Sequence, residues 1–262
     1  VTLPAARYAF DNDDPAAIDR HRCLSDMLDG HTTARLSTLG ALAGRRCLEL
    51  GAGGGSIAGW LARQGAHVLA TDLNVRHLPT DAGYRVLRHD LVTEPLPPGE
   101  WDVIHARLLL LHLPQREEIL RRLAGALAPG GALVLEEFAT TFRNAVLVAP
   151  GPGDAAAYDR YLDTLVERVL PAHGNDPAWA RRVHAAMVEA GLADVDTEVF
   201  ARSWAGGTAG ALLNAANIAQ QRAGLRAAGL TDALLDRVTA LMSDPRMVIR
   251  SHLVYSTIGR RR

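Results

Sequence analysis

Between Arg46 and Asp72 the chain reads RCLELGAGGGSIAGWLARQGAHVLATD. A short apolar run (Cys47, Leu48, Leu50) enters a glycine turn at Gly51, Gly53, Gly54 and Gly55. A segment with helical spacing follows, and a second apolar run closes on Asp72. Glycine is conformationally costly, so a cluster this dense is better explained by close approach of a ligand to the backbone than by strand–helix packing alone. A carboxylate ending the second strand is placed to accept hydrogen bonds from ribose hydroxyls. This order is the opening half of a doubly wound α/β nucleotide-cofactor site.

The details select among cofactors. The dinucleotide fingerprint has glycine at its first, third and sixth positions. Counted from Gly51, the sixth residue here is Ser56, and Gly55 instead completes a GxGxG loop. Glu49 stands two residues before the first glycine. Beside a pyrophosphate its charge would be opposed by like charge. S-adenosylmethionine (SAM) brings no phosphate there and carries a cationic sulfonium and α-ammonium, so the acid helps. SAM is the expected cofactor.

Composition narrows the class further. At 262 residues the chain has room for one α/β domain with added elements. A formal net charge of −1 leaves no electrostatic footprint for nucleic acid. Arg260, Arg261 and Arg262 read as a solubilising end. Cys23 and Cys47 show neither metal-ligand spacing nor a disulfide framework, so a reducing cytoplasm is expected. The first residues lack the order of a signal peptide. No apolar run approaches the roughly 20 residues that span a bilayer, so no membrane partner is expected.

Along the chain, Pro15–Leu42 predicts one or two helices, with Gly30 as a possible divider. Strands are expected at Arg46–Leu50, His67–Thr71, Gly83–His89, Trp101–Ala106 and Ala132–Phe138, and helices at Gly54–Arg63 and Gln115–Ala128. Pro129-Gly130-Gly131 is expected to stop the latter helix. The second half predicts helices over Asp154–Leu170, Pro177–Ala190, Gly210–Ala228 and Thr231–Met242. Alternating stretches over Asp194–Trp204 and Met247–Ile258 read as two late strands. The expected fold is a Rossmann-like, seven-stranded, mostly parallel sheet with helices on both faces, N-terminal helices and an inserted helical lid. As one domain it divides into a cap (residues 1–43), a cofactor-binding core (44–140) and a segment of lid helices and last strands (141–262).

The ordered series LELGAGGGS, LATD, RHDL, WDVIHARLLLLHL and ALAPGGALVLEEF resembles the class I SAM-dependent methyltransferases. It looks most like the small-molecule enzymes of actinobacteria, whose N-terminal stretch is similar to YAFDN…RHRCLSDMLDGHTTARL. The resemblance implies that Glu49, Gly51, Ala52 and Gly53 hold the methionine part of SAM. It implies Asp72 on the ribose, Leu73 beside the adenine, and Asp90 and Leu91 at the adenine amino group. The backbone at Ala106–Arg107 would meet the methionine ammonium, and Tyr8 would close over the cofactor. Blander roles stay open: Asp72 as a helix cap, Asp90 as a turn residue, and Arg107 as the partner of a surface acid.

Methyl transfer is an in-line displacement in which positioning does most of the work, and a hydroxyl acceptor also needs a base. His112, just past the fourth strand, is the candidate. Against it, HLP follows the apolar run in this family whatever the acceptor, which favours a structural histidine. His105, in a strand interior, reads as a satisfied core residue. Glu137, Trp204, Asn214 and Asn217 are candidate substrate contacts, and no metal set is visible beside Glu136 and Glu137. The expected reaction is methylation of a small molecule, with a hydroxyl oxygen of a specialised metabolite as acceptor. A SAM-binding protein that transfers no methyl group shares the motif. An NAD-dependent oxidoreductase would need the sixth-position glycine and a Tyr-x-x-x-Lys pair, and the chain has no lysine. Nothing in the sequence sets the oligomeric state.

Overall fold

The structure is a computed structural model that describes residues 9–10, 13–14, 16–141 and 144–262. Tyr8 lies outside the described residues. The elements run α1 (Ala17–Ser37), β1 (Arg46–Leu50), α2 (Ser56–Arg63), β2 (His67–Asp72), β3 (Arg85–Arg88), β4 (Trp101–Arg107), α3 (Arg116–Gly125) and β5 (Leu127–Ala139). They continue with β6 (Val146–Val148), α4 (Asp154–Thr164), α5 (Leu170–Ala172), α6 (Val183–Glu189), β7 (Ala193–Phe200) and β8 (Ser203–Ala205). The chain closes with α7 (Ala209–Ala227), α8 (Asp232–Leu241), β9 (Val248–Arg250) and β10 (Leu253–Arg260).

Two compact units emerge. One comprises residues 28–138, 179–200 and 254–262 and holds a seven-stranded sheet in the order β3-β2-β1-β4-β5-β10-β7. The pairs β1–β2, β2–β3, β1–β4 and β4–β5 are parallel, and β7–β10 is antiparallel. Buried on both faces, β1 and β4 are near-continuous apolar runs, as interior parallel strands require. One sheet face packs Cys47, Val68, Ala70, Val103 and Val134 with Ile57 and Leu61 of α2 and with Leu36, Leu39 and Leu42.

The other unit comprises the described residues up to 27 together with those within 139–178 and 201–253. Helices α4, α7 and α8 pack there around Tyr158, Tyr161, Leu165, Ile218, Leu225, Leu235 and Val238. A three-stranded antiparallel sheet, β6-β9-β8, belongs to the same unit. Thr231 caps α8 by accepting the Leu234 N–H at 3.3 Å.

Four expectations are corrected. Gly30 does not divide α1, which runs unbroken to Ser37. The helix over Gln115–Ala128 ends at Gly125, before the proline, because Leu127 pairs with Trp101 in the sheet and is fully buried there. The Pro-Gly-Gly step lies inside β5, where a register shift between Trp101 and Val103 absorbs the extra residues. Pro177–Ala190 is not one helix but a 3-10 turn (Trp179–Arg181) followed by α6. Each late strand is interrupted, at 201–202 and 251–252, so that β8 and β9 join the smaller sheet instead.

Candidate functional site

Parallel register brings the carboxyl ends of β1, β2 and β4 to one edge of the large sheet, with the glycine loop opening from β1. Gly51 has φ +61°, and a Cβ there would lie 3.0 Å from the Leu109 Cδ1. Gly55, the residue before α2, has φ +78°; a Cβ there would overlap the Tyr84 hydroxyl and sit 3.0 Å from the Leu78 Cδ2. Both positions therefore favour glycine by conformation, and Gly55 by space as well. The Asp72 carboxylate closes the loop from β2: Oδ2 accepts the Gly53 N–H at 2.9 Å and Oδ1 accepts the Asn74 N–H at 3.0 Å. Burial pushes its pKa above the ordinary carboxylate value, although the N–H groups of Asn74, Gly53 and Leu73 work against it. The Ala52 N–H is bound to the Thr71 carbonyl at 3.0 Å, and the Leu73 side chain beside it is about half exposed.

Glu49 does not stand alone. It faces His105 across the β1–β4 register, and its Oε2 lies 2.7 Å from the His105 Nδ1. On the far side of the ring, Nε2 lies 3.6 Å from the Glu136 Oε2 on β5. Burial alone would lower the His105 imidazole, yet Glu49 and Glu136 outweigh it and carry it up to about 9. Burial would likewise raise Glu136, but His105, Arg107 and Thr32 hold it well below the usual carboxylate range. The Thr32 hydroxyl donates to Glu136 and accepts from the Arg107 Nη1 at 3.0 Å. The Arg107 Nη2 lies 2.9 Å from Asp29, which also accepts the Ser56 hydroxyl at 3.1 Å. His105 is thus the satisfied core residue expected, and it also sits at the centre of an ion cluster with Glu49 and Glu136. Arg107 pairs with the partly buried Asp29 of α1 rather than with a freely exposed acid.

After β4 the chain turns sharply. Leu108 has φ +53°, a conformation costly for a branched side chain, and its N–H donates to the Glu136 carbonyl at 2.7 Å. Leu110–His112 then form a 3-10 turn. Glu137, fully buried, accepts the Leu110 and Leu111 N–H groups at 2.8 and 3.3 Å, and Arg116 donates to the carbonyls of the same two residues. This places Glu137 against the backbone that carries the buried His112. Burial pushes the Glu137 carboxyl up to about 8 despite those N–H donors.

The other candidate residues separate. Asp90 follows β3 in the same unit as the glycine loop and makes a local turn: Oδ1 accepts the Val92 N–H at 2.9 Å and Oδ2 the Thr93 hydroxyl at 2.7 Å. Burial would raise its carboxyl, but these bonds outweigh it and lower the value. Leu91 is buried, and its carbonyl accepts from Arg122. Trp204, Asn214 and Asn217 belong to the other unit. There Asn214 donates to the Gly210 carbonyl of its own helix and lies 3.4 Å from the Tyr158 hydroxyl, while Asn217 accepts from Arg20 at 3.1 Å. Trp204 packs on Gly210, with the Arg202 guanidinium 4.7 Å from its ring centre. Reading the sequence missed the roles of His105, Thr32 and Asp29. The signal was strand parity, since Glu49, His105, Arg107 and Glu136 share one sheet face.

The carboxylates around the glycine loop suit a cationic ligand, so the residues present fit SAM. A family model described as a methyltransferase domain matches residues 20–195. The chain belongs to this family of methyltransferase domains, and the resemblance to class I SAM-dependent methyltransferases stands with it. Methyltransferase str2 of Strobilurus tenacellus is 35% identical over 146 residues, 52% of this chain and 49% of that protein. A ubiquinone biosynthesis O-methyltransferase of Ralstonia nicotianae is 34% identical over 113 residues, 40% of this chain and 46% of that protein. The match spans about half the length, or less, of the first curated relatives, 49%, 35% and 46%. The fold is also that of Haemonchus contortus phosphoethanolamine N-methyltransferase 2, solved with phosphomonomethylethanolamine and S-adenosylhomocysteine. That match has TM-score 0.60 and 14% identity, covering 99% of this chain and 61% of that one. Among the described residues no helix is long and apolar enough to cross a membrane.

Proposed function

We propose that the chain transfers the methyl group of SAM to a hydroxyl oxygen of a small-molecule acceptor, a specialised metabolite. One observation carries this reading: the glycine loop is flanked by carboxylates, Glu49 before it and Asp72 beneath it, while the guanidinium of Arg107 is engaged by Thr32 and Asp29. Such surroundings suit a sulfonium and an ammonium and repel a pyrophosphate. In this reading Glu49, Gly51, Ala52, Gly53 and the backbone at Ala106–Arg107 hold the methionine part. Asp72 and Leu73 hold the ribose and adenine, with Asp90 and Leu91 at the adenine edge. When bound, the cofactor supplies an electrophilic methyl group on sulfur.

The chain's own task is to align the acceptor and accept its proton. An imidazole nitrogen of His112 takes that proton, with Glu137 and Arg116 fixing the turn that carries it. The hydroxyl acceptor is suggested by the relative named for O-methylation in ubiquinone biosynthesis. Both cysteines are free and buried, in keeping with a cytoplasmic setting. The test is incubation with methyl-labelled SAM and a panel of phenolic and aliphatic hydroxyl compounds. Label in an acceptor, with equimolar S-adenosylhomocysteine, supports the reading. Tight SAM binding with no transfer to any member of the panel would favour the non-methylating alternative.

A further inference from the structure

A chain of polar contacts, buried from Glu49 to Thr32 and partly buried beyond it, starts at Glu49, two residues before the glycine loop, and ends at Ser56, the residue directly after it. It runs from Glu49 on β1 to His105 on β4, Glu136 on β5, Thr32 on α1, Arg107 on β4 and Asp29 on α1, and reaches Ser56 at the start of α2. The loop's two ends are therefore tied to one network, and His105 is the link nearest its entry. The imidazole is fully buried and in hydrogen-bond reach of Glu49 only through Nδ1, which fixes the direction of that carboxylate. We propose that His105 is a positioning residue of the cofactor site: held between Glu49 and Glu136, it fixes the Glu49 carboxylate at the loop entrance and so sets affinity for the cationic cofactor.

The charges support this role. Glu49, Glu136 and Asp29 supply three carboxylates, against which stand the Arg107 guanidinium and the His105 ring, positively charged over the neutral range. The cluster thus keeps one negative charge in excess, matching the net positive charge of SAM. Removing the ring's charge and donor together would leave two carboxylates buried without their shared partner, a costly arrangement that a proton on one of them relieves. Binding sites depend on such supporting hydrogen bonds, because an unheld first contact loses its direction.

The inference rests on SAM being the cofactor, and the experiment separates the two claims. SAM affinity is measured by calorimetry for the wild type, His105→Asn and His105→Phe, with thermal melting of each unliganded protein as the folding control. Asparagine places an amide nitrogen near the Nδ1 position and keeps the donor; phenylalanine keeps only the ring's bulk. The expected result is a loss on the order of tenfold to hundredfold for His105→Phe, the worth of one hydrogen bond to a charged group, with most of it restored in His105→Asn. The cofactor's own ammonium titrates alike in both proteins, so the two affinity profiles should run in parallel until about pH 9 and part there, where only the wild type loses the His105 proton. Glu49, Glu136, Arg107, Asp29 and Thr32 are the charged and polar groups facing the ring's network in that titration. If His105→Phe does not fold, the pH profiles of the wild type and His105→Asn decide. Unchanged affinity in both folded variants, equal loss in both, or identical pH profiles overturns the proposal while the cofactor assignment stands. No binding of SAM by the wild type overturns both.

Discussion

Glu137 offers a sharp test of how the site is built. Its carboxyl is fully buried beneath the 3-10 turn that carries His112, and burial lifts it from 4.5 to about 8. The native state therefore holds a proton that the unfolded chain releases above about 4.5. Stability from this group is complete below that value and is lost as pH rises through about 8. The slope is at most about 1.4 kcal/mol per pH unit, which over this window sums to roughly 5 kcal/mol. Glu137→Gln keeps an oxygen to accept the Leu110 and Leu111 N–H groups and has nothing to titrate. Urea unfolding followed by circular dichroism from about pH 5 to about pH 9 should show the variant gaining on the wild type as pH rises. Glu137→Ala leaves both N–H groups without an acceptor and should cost roughly 2–4 kcal/mol near pH 6. Parallel pH profiles for the wild type and Glu137→Gln, or an alanine variant as stable as the glutamine variant, would refute the turn-supporting role.

Asp72→Ala removes the acceptor of the Gly53 and Asn74 N–H groups and, in the proposed reading, the ribose contact; calorimetry should show SAM affinity weakened about tenfold to hundredfold. Gly55→Ala forces a Cβ into a left-handed backbone against Tyr84 and Leu78, and should lower stability by at least about 2 kcal/mol in urea unfolding. Adding Tyr84→Phe, which deletes the clashing hydroxyl, should return part of that loss. His112→Ala should reduce kcat on a hydroxyl acceptor by on the order of 100-fold and leave the KM for SAM nearly unchanged, whereas a purely structural histidine would show its loss in the melting temperature.

The large sheet was legible because β1, β2 and β4 are short apolar runs between strong punctuation, and the glycine loop fixes the connection from β1 to α2. Leu127 was misread because its spacing fits the helix that precedes it; only the partner strand, at Trp101, shows that sheet pairing wins. The interruptions at 201–202 and 251–252 escaped notice because neither stretch carries a proline or glycine to mark a break. In the site, Glu49, Gly51, Gly53 and Asp72 lie within a contiguous motif and were visible for that reason. His105 was not, because its role depends on the order β1-β4-β5, which brings three distant segments side by side. Asp29 and Thr32 come from α1, and nothing local in that helix marks them as partners of Arg107.

The central claim is that the loop between Glu49 and Asp72 holds SAM. Calorimetric titration of the protein with SAM, S-adenosylhomocysteine and NADH tests it most directly. Micromolar binding of the first two, about −8 kcal/mol, with no heat from NADH is the predicted result. Binding of NADH without SAM would contradict the account and return the glycine loop to a dinucleotide.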